Sequence, residues 1–223
     1  MSEAQWFDVD HYISEVLVGA DPVLKAALAA SDAAGLPAIS VSPNQGKLLH
    51  ILARSVSARA ILEIGTLGGY STIWLARALP EDGRLITLEA NEKHAAVARA
   101  NIANAGLAER VEVCVGRALE TLPRLAAEGK GPFDLTFIDA DKQSNPDYFQ
   151  WALTLSCRGS LIIIDNVVRN GAVIDVESCD PDVIGIRRLN MLMAGEPRVC
   201  ATAMQTVGAK GYDGFAIALV VDA

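Results

Sequence analysis

Short apolar runs alternate with longer stretches of helical spacing along most of the chain. The runs fall at residues 60–64, 84–89, 111–115, 133–138 and 160–164, too short for helices and suited to strands buried in a sheet. Between them Asn91 is placed to cap a helix through residue 105, which Gly106 ends. A second helix spans about 118–128, and Asn145-Pro146 opens a third. The run Ser160-Leu161-Ile162-Ile163-Ile164 is apolar on both faces, as a central parallel strand requires. Asp180-Pro181 caps a helix ending near Gly195, and two more strands are expected over 199–204 and 215–221. The ten residues between those two cannot hold a helical crossover, so the strands should pair antiparallel.

Ahead of the first strand, Ile13, Val16, Leu17, Val23, Leu24, Ala27 and Leu28 give two helices over 9–34, broken at Gly19-Ala20-Asp21-Pro22. Ser42 can cap a further helix, with Pro43 in its first position and Gln45 closing a capping box. Right-handed crossovers turn this order into an α/β fold. It is a doubly wound, Rossmann-like, seven-stranded, mostly parallel sheet with an antiparallel last strand and added N-terminal helices. With 223 residues the chain suits one domain, taken as 1–223, in which 1–38 is a helical extension. That extension is read as outer packing, a lid or a dimer surface.

The first strand, Ala60-Ile61-Leu62-Glu63-Ile64, runs into Gly65-Thr66-Leu67-Gly68-Gly69-Tyr70-Ser71 before helical spacing resumes. In an open parallel sheet this turn lies at the carboxyl edge, where glycines admit a ligand to the backbone and a helix N-terminus offers free N–H groups. The glycines do not make G-x-G-x-x-G, so a nucleoside without a pyrophosphate is favoured over a dinucleotide. The second strand ends in Glu89, an acid placed to accept ribose hydroxyls.

Strands four and five end in Asp139-Ala140-Asp141-Lys142 and Asp165-Asn166. At a switch point these tips are neighbours, and two carboxylates with an amide offer hard oxygen ligands suited to Mg²⁺, Mn²⁺ or Ca²⁺ rather than zinc. Singly, either aspartate would serve as a loop cap; together with Asn166 they favour a cation.

Charge and composition narrow the partners. A net charge of −8 speaks against nucleic acid, which needs clustered Lys and Arg. Cys114, Cys157, Cys179 and Cys200 form no C-x-x-C pair, which fits a reducing compartment. No basic-then-apolar leader or membrane-length run occurs in the sequence, so a cytoplasmic protein without membrane contact is expected.

Taken jointly, Glu63-x-Gly65-x-x-x-Gly69-Tyr70-Ser71, Glu89, Asp139-Ala140-Asp141-Lys142 and Asp165-Asn166 resemble the cation-dependent class I O-methyltransferases, the catechol and caffeoyl-CoA O-methyltransferase family in its bacterial branch. The likeness covers about 39–219. It implies S-adenosylmethionine as cofactor, with Glu63 behind the glycine turn and Gly65 through Ser71, including Gly69, holding the methionine part. Val41 and Ser71 would touch the amino acid end, Glu89 the ribose and Ala118 the adenine. It also implies Asp139, Asp165 and Asn166 as metal ligands, with Asp139 beside the cofactor, Lys142 as general base, and a homodimer. In the stretch after Asp165-Asn166 the caffeoyl-CoA enzymes usually carry a Trp, whereas this chain runs Val167-Val168-Arg169-Asn170-Gly171-Ala172-Val173, in which Arg169 favours an anionic acceptor or faces solvent.

The implied reaction moves the sulfonium methyl group to one hydroxyl of a catechol-like or other vicinal-diol phenol, the cation fixing and acidifying that oxygen. No protein nucleophile is needed, and no nucleophile elbow is present. A nicotinamide oxidoreductase would leave the acidic tips without a role. A non-catalytic binding protein would not need Lys142.

Overall fold

The computed structural model describes residues 2–222. Seven strands, β1 (Ala60–Ile64), β2 (Arg84–Glu89), β3 (Val111–Val115), β4 (Phe133–Ile138), β5 (Ser156–Asp165), β6 (Val199–Gly208) and β7 (Gly211–Val220), form one sheet in the order β3-β2-β1-β4-β5-β7-β6. β1 through β5 run parallel, β7 pairs antiparallel with β5, and β6 pairs antiparallel with β7. The strand order reverses between β1 and β4, which opens the crevice at their carboxyl ends.

β1 is buried along its whole length, and its side chains alternate between two cores. Leu62 and Ile64 join Ile86, Phe133, Ile138 and Phe149 on one face, while Ile61 joins Leu24, Ile73, Leu85, Leu135 and Phe137 on the other. Each fully buried Leu, Ile or Phe contributes about 1.5–3 kcal/mol, so the sheet centre is where the fold is most firmly held.

The first core is covered by α6 (Ala118–Ala127), α7 (Asn145–Thr154) and α8 (Pro181–Gly195), and the second by α2 (Pro22–Ala33), α3 (Pro43–Ser55), α4 (Tyr70–Ala76) and α5 (Glu92–Asn104). The N-caps expected at Ser42, Asn91 and Asp180 are made: each side chain accepts backbone N–H groups of the first turn. The first helix, α1 (Glu3–Ile13), starts ahead of the expected residue 9 because Ser2 caps it. It runs into a π-helical turn, Ser14–Val18, and stops at Gly19.

Three further expectations change, in the β6–β7 link, at the start of β5 and at the Ser42 cap. The link over 205–214 is mostly strand: β6 runs on to Gly208 and β7 begins at Gly211, leaving a turn of Ala209 and Lys210. Long hairpin strands satisfy backbone groups that a ten-residue loop would leave to water. β5 begins at Ser156 rather than 160, with its register shifted opposite residues 133–135. The capping box is half made. Ser42 accepts the Gln45 N–H at 3.2 Å, but the Gln45 side chain turns to Asp165.

Candidate active site

Gly65 leaves β1 with φ +100°, and a Cβ there would lie 2.2 Å from the Asp139 carbonyl oxygen. No side chain fits, so the β1 and β4 tips approach at backbone distance. Gly69 then precedes α4 with φ +82°.

The turn between them is held from three directions. Glu89 accepts the Leu67 N–H at 2.8 Å and the Thr66 N–H at 3.3 Å on one oxygen, and the Asn91 N–H at 2.9 Å on the other. His94 Nδ1 lies 3.6 Å from that second oxygen. Asn101, buried on α5, donates to the Gly68 carbonyl at 2.9 Å and to the Ala27 carbonyl of α2 at 3.2 Å. Glu63 is fully buried and accepts the hydroxyls of Ser71 and Thr87 at 2.7 Å each, together with that of Thr72. Burial raises the Glu63 carboxyl to about 7 although those three hydroxyls favour its ionised form.

A cavity of about 790 Å³ opens over this turn, within the range of cofactor and small-molecule sites. Val41, Gly65, Ser71, Glu89 and Ala118 line it, as do Asp139, Lys142, Asp165 and Asn166. Glu63 and Gly69 do not. Glu63 acts from behind, through Ser71, and Gly69 sets the backbone.

At the β4 and β5 tips, Lys142 Nζ donates to Asp139 Oδ1 at 2.8 Å, and the Asn166 N–H donates to Asp165 Oδ1 at 2.8 Å. Burial, and then the charge of Asp139, raise Asp165 to about 7, with Lys142 opposing. Two carboxylates that repel beside an amide oxygen make a donor set that a hard divalent cation fits. Among the described residues no group of three or more His, Cys, Asp or Glu side chains is placed to hold a metal ion.

Tyr148, Asp141, His94 and Lys210 are among the lining residues that carried no individual role in the sequence reading. Tyr148 donates its hydroxyl to Asp141 at 2.5 Å. Burial opposes ionisation of Asp141, yet Ser144 and Tyr148 outweigh it and hold the carboxyl below its usual range. Burial and Asp141 push the Tyr148 phenol up. His94 follows Glu89 by five residues, and Lys210 reaches the cavity from the β6–β7 turn. The N-P-x-Y pattern at 145–148 hints at Tyr148 through helical spacing; nothing local signals the others.

The family model for O-methyltransferases matches residues 15–219. The chain belongs to this O-methyltransferase family. The methyltransferase is 58% identical to a catechol O-methyltransferase of Mycobacterium tuberculosis over 213 residues, 96% of this chain and 95% of the other. It is 56% identical to a catechol O-methyltransferase of Niastella koreensis over 212 residues, 95% and 96% of the two chains. The structure of an O-methyltransferase from Bacillus cereus in complex with SAH superposes with a TM-score of 0.97 at 58% identity, covering 98% of the methyltransferase and all of that chain. Among its described residues, no helix is long and apolar enough to cross a membrane.

Proposed function

We propose that the methyltransferase moves the methyl group of S-adenosylmethionine to one hydroxyl of a catechol-like vicinal diol, with a divalent cation as template. The observation that carries the reading is convergence: Asp139, Asp165, Asn166 and Lys142 meet in one cavity with the glycine turn and Glu89. The SAH complex of the Bacillus cereus relative and the catechol enzymes at 56–58% identity support the cofactor and the acceptor class.

On this reading the backbone of residues 65–71 and Val41 hold the amino acid part of the cofactor, Glu89 the ribose, and Ala118 the adenine side. Glu63 fixes Ser71 from behind. Asp139, Asp165 and Asn166 would hold Mg²⁺, Mn²⁺ or Ca²⁺. Such a cation makes a chelated hydroxyl more acidic and fixes the direction of its oxygen. Lys142 Nζ, kept at the site by Asp139, takes in its neutral amine form the proton that leaves that hydroxyl as the oxygen gains the methyl group. The exposed apolar positions Phe7, Tyr12, Val16 and Leu17, near the edge strand β6, suit a second copy of the chain and a homodimer.

The test compares turnover of a catechol with Mg²⁺ and with EDTA, in the wild type and in Asp165→Asn. Chelation or the substitution should lower turnover on the order of 10³-fold, the several kcal/mol a bound cation contributes. Calorimetry in EDTA should still register S-adenosylmethionine binding. Full turnover in EDTA would remove the cation from the reading, and binding of NAD in place of S-adenosylmethionine would remove the reading itself.

A further inference from the structure

The cavity lining carries both acidic and basic side chains. Glu89, Asp139, Asp141 and Asp165 crowd the strand tips. Lys210 lines the same cavity beside Ala38, to whose carbonyl it donates, and Arg169 lines it as well. We infer that the acceptor is an anionic catechol, a ring with two vicinal hydroxyls and a carboxylate, and that Arg169 and Lys210 receive the carboxylate. The inference rests on the catechol reading above and adds the acceptor's charge to it.

Both cations sit on backbone that is held in place. Arg169 has φ +55° and Asn170 φ +54°, a left-handed pair without glycine that persists only where its surroundings hold it. Asp213 of β7 sustains it by accepting the Val168 and Arg169 N–H groups at 3.0 Å each. This turn follows Asn166 directly, so the group that takes the carboxylate and a residue proposed to hold the cation share one short loop. The Arg169 guanidinium meets Asp182 through Nη2, at 3.1 Å, and its side chain remains 30% exposed. A guanidinium carries five N–H donors, so this contact leaves donors for a second carboxylate.

Lys210 forms the tip of the β6–β7 hairpin, beside Ala209, whose N–H is fixed by Asp10 at 3.0 Å. Its ammonium donates to the Ala38 carbonyl at 3.0 Å, a neutral partner that leaves the charge uncompensated at that contact. Ile39, 67% exposed beside Pro37, gives an aromatic ring apolar surface to cover. A chain of net charge −8 has no general attraction for anions, so a preference for a carboxylate must come from these two side chains.

The experiment measures kcat/KM of the full chain, with S-adenosylmethionine and Mg²⁺, for 3,4-dihydroxybenzoate, its methyl ester and 3,4-dihydroxybenzylamine. The wild type should prefer carboxylate to ester about tenfold or more, with the amine poorest. Arg169→Gln and Lys210→Gln should each reduce the carboxylate-to-ester ratio about tenfold, the low end of what a charge-assisted hydrogen bond contributes. Esterification also alters phenol acidity, so the decisive readout is the change in this ratio between variant and wild type. An unchanged ratio in both variants, including a proportional loss of all three activities, overturns the inference. If ester and amine are methylated as well as the carboxylate, the catechol reading stands and only the acceptor's charge falls. If none of the three is methylated, both fall.

Discussion

Around β1 to β3 the cleft is lined by backbone that side chains from behind hold still, whereas around β7 and the N-terminal segment it is lined by side chains on exposed supports. Gly65 meets Asp139 with no room for a methyl group, and Glu63, Glu89 and Asn101 spend their hydrogen bonds on the turn. At the other end β6 is exposed along nearly all its length, α1 buries no side chain, and Arg169 and Lys210 reach inward from a strained turn and a hairpin tip. On the proposed function the difference matches two tasks. A cofactor of fixed shape is served by rigid backbone, and acceptor choice is served by a few replaceable side chains on a surface that tolerates change.

The sharpest way to break this comparison is one methyl group in each half. Gly65→Ala puts a Cβ 2.2 Å from the Asp139 carbonyl at φ +100°, so β1 and β4 must separate. Gly211→Ala, at φ +85° with nothing within 4 Å, meets only the left-handed strain. Urea unfolding should register a loss of about 3 kcal/mol or more for Gly65→Ala, and about 1–2 kcal/mol for Gly211→Ala. Calorimetry should find S-adenosylmethionine binding lost in the first and kept in the second. Equal losses would mean that the cofactor end is no more constrained than the hairpin.

Glu63→Gln probes the same rigidity through pH. The wild-type carboxyl has its folded value raised to about 7 from the ordinary 4.5, so its stabilising share is complete below about pH 4.5 and disappears as pH rises through 7. The loss is about 3 kcal/mol at most, because a tenfold change in proton affinity corresponds to about 1.4 kcal/mol. Asp165 adds a decline in the same window in metal-free buffer, so the readout is the difference between the two proteins. Urea midpoints from pH 4.5 to 7.5 should fall less in Glu63→Gln than in the wild type. Parallel curves would show that Glu63 stays ionised in the folded protein.

How much of this could be read from the chain follows the same division. The strands, the glycine turn and the acids at strand tips were legible because each is a local pattern: an apolar run, a glycine, then a carboxylate. Glu63 behind the turn was implied by the family resemblance, but its three hydroxyl partners were not legible, Thr87 least of all because it lies on the next strand. Gln45 resembled a capping residue and instead serves Asp165, some 120 residues away. The hairpin was read too short because Gln205-Thr206-Val207-Gly208 and Gly211-Tyr212-Asp213-Gly214 carry turn-forming residues, and only cross-strand pairing makes them strands. Lys210 enters the cleft through that same pairing, which no local pattern announces.

The smallest expected effect lies at the outer support of the acceptor end. Asp10 fastens α1 there: one carboxylate oxygen accepts the Ala209 N–H at 3.0 Å, and the other accepts the Asn44 amide, which also donates to the Asp10 carbonyl at 3.0 Å. Because α1 buries no side chain, little apolar contact would replace these bonds in Asp10→Ala. Two partly exposed hydrogen bonds contribute about 1 kcal/mol together, enough to raise local opening several-fold without unfolding the sheet. Hydrogen exchange should therefore quicken in residues 3–18 and at the 208–210 turn, while β1 to β5 keep their protection. Cofactor affinity should change less than twofold, because Asn101, Glu89 and Glu63 hold the glycine turn from the other side of the sheet tip. A large fall in that affinity would show that the N-terminal helix supports the cofactor end as well, and the division between the two halves of the cleft would have to be redrawn.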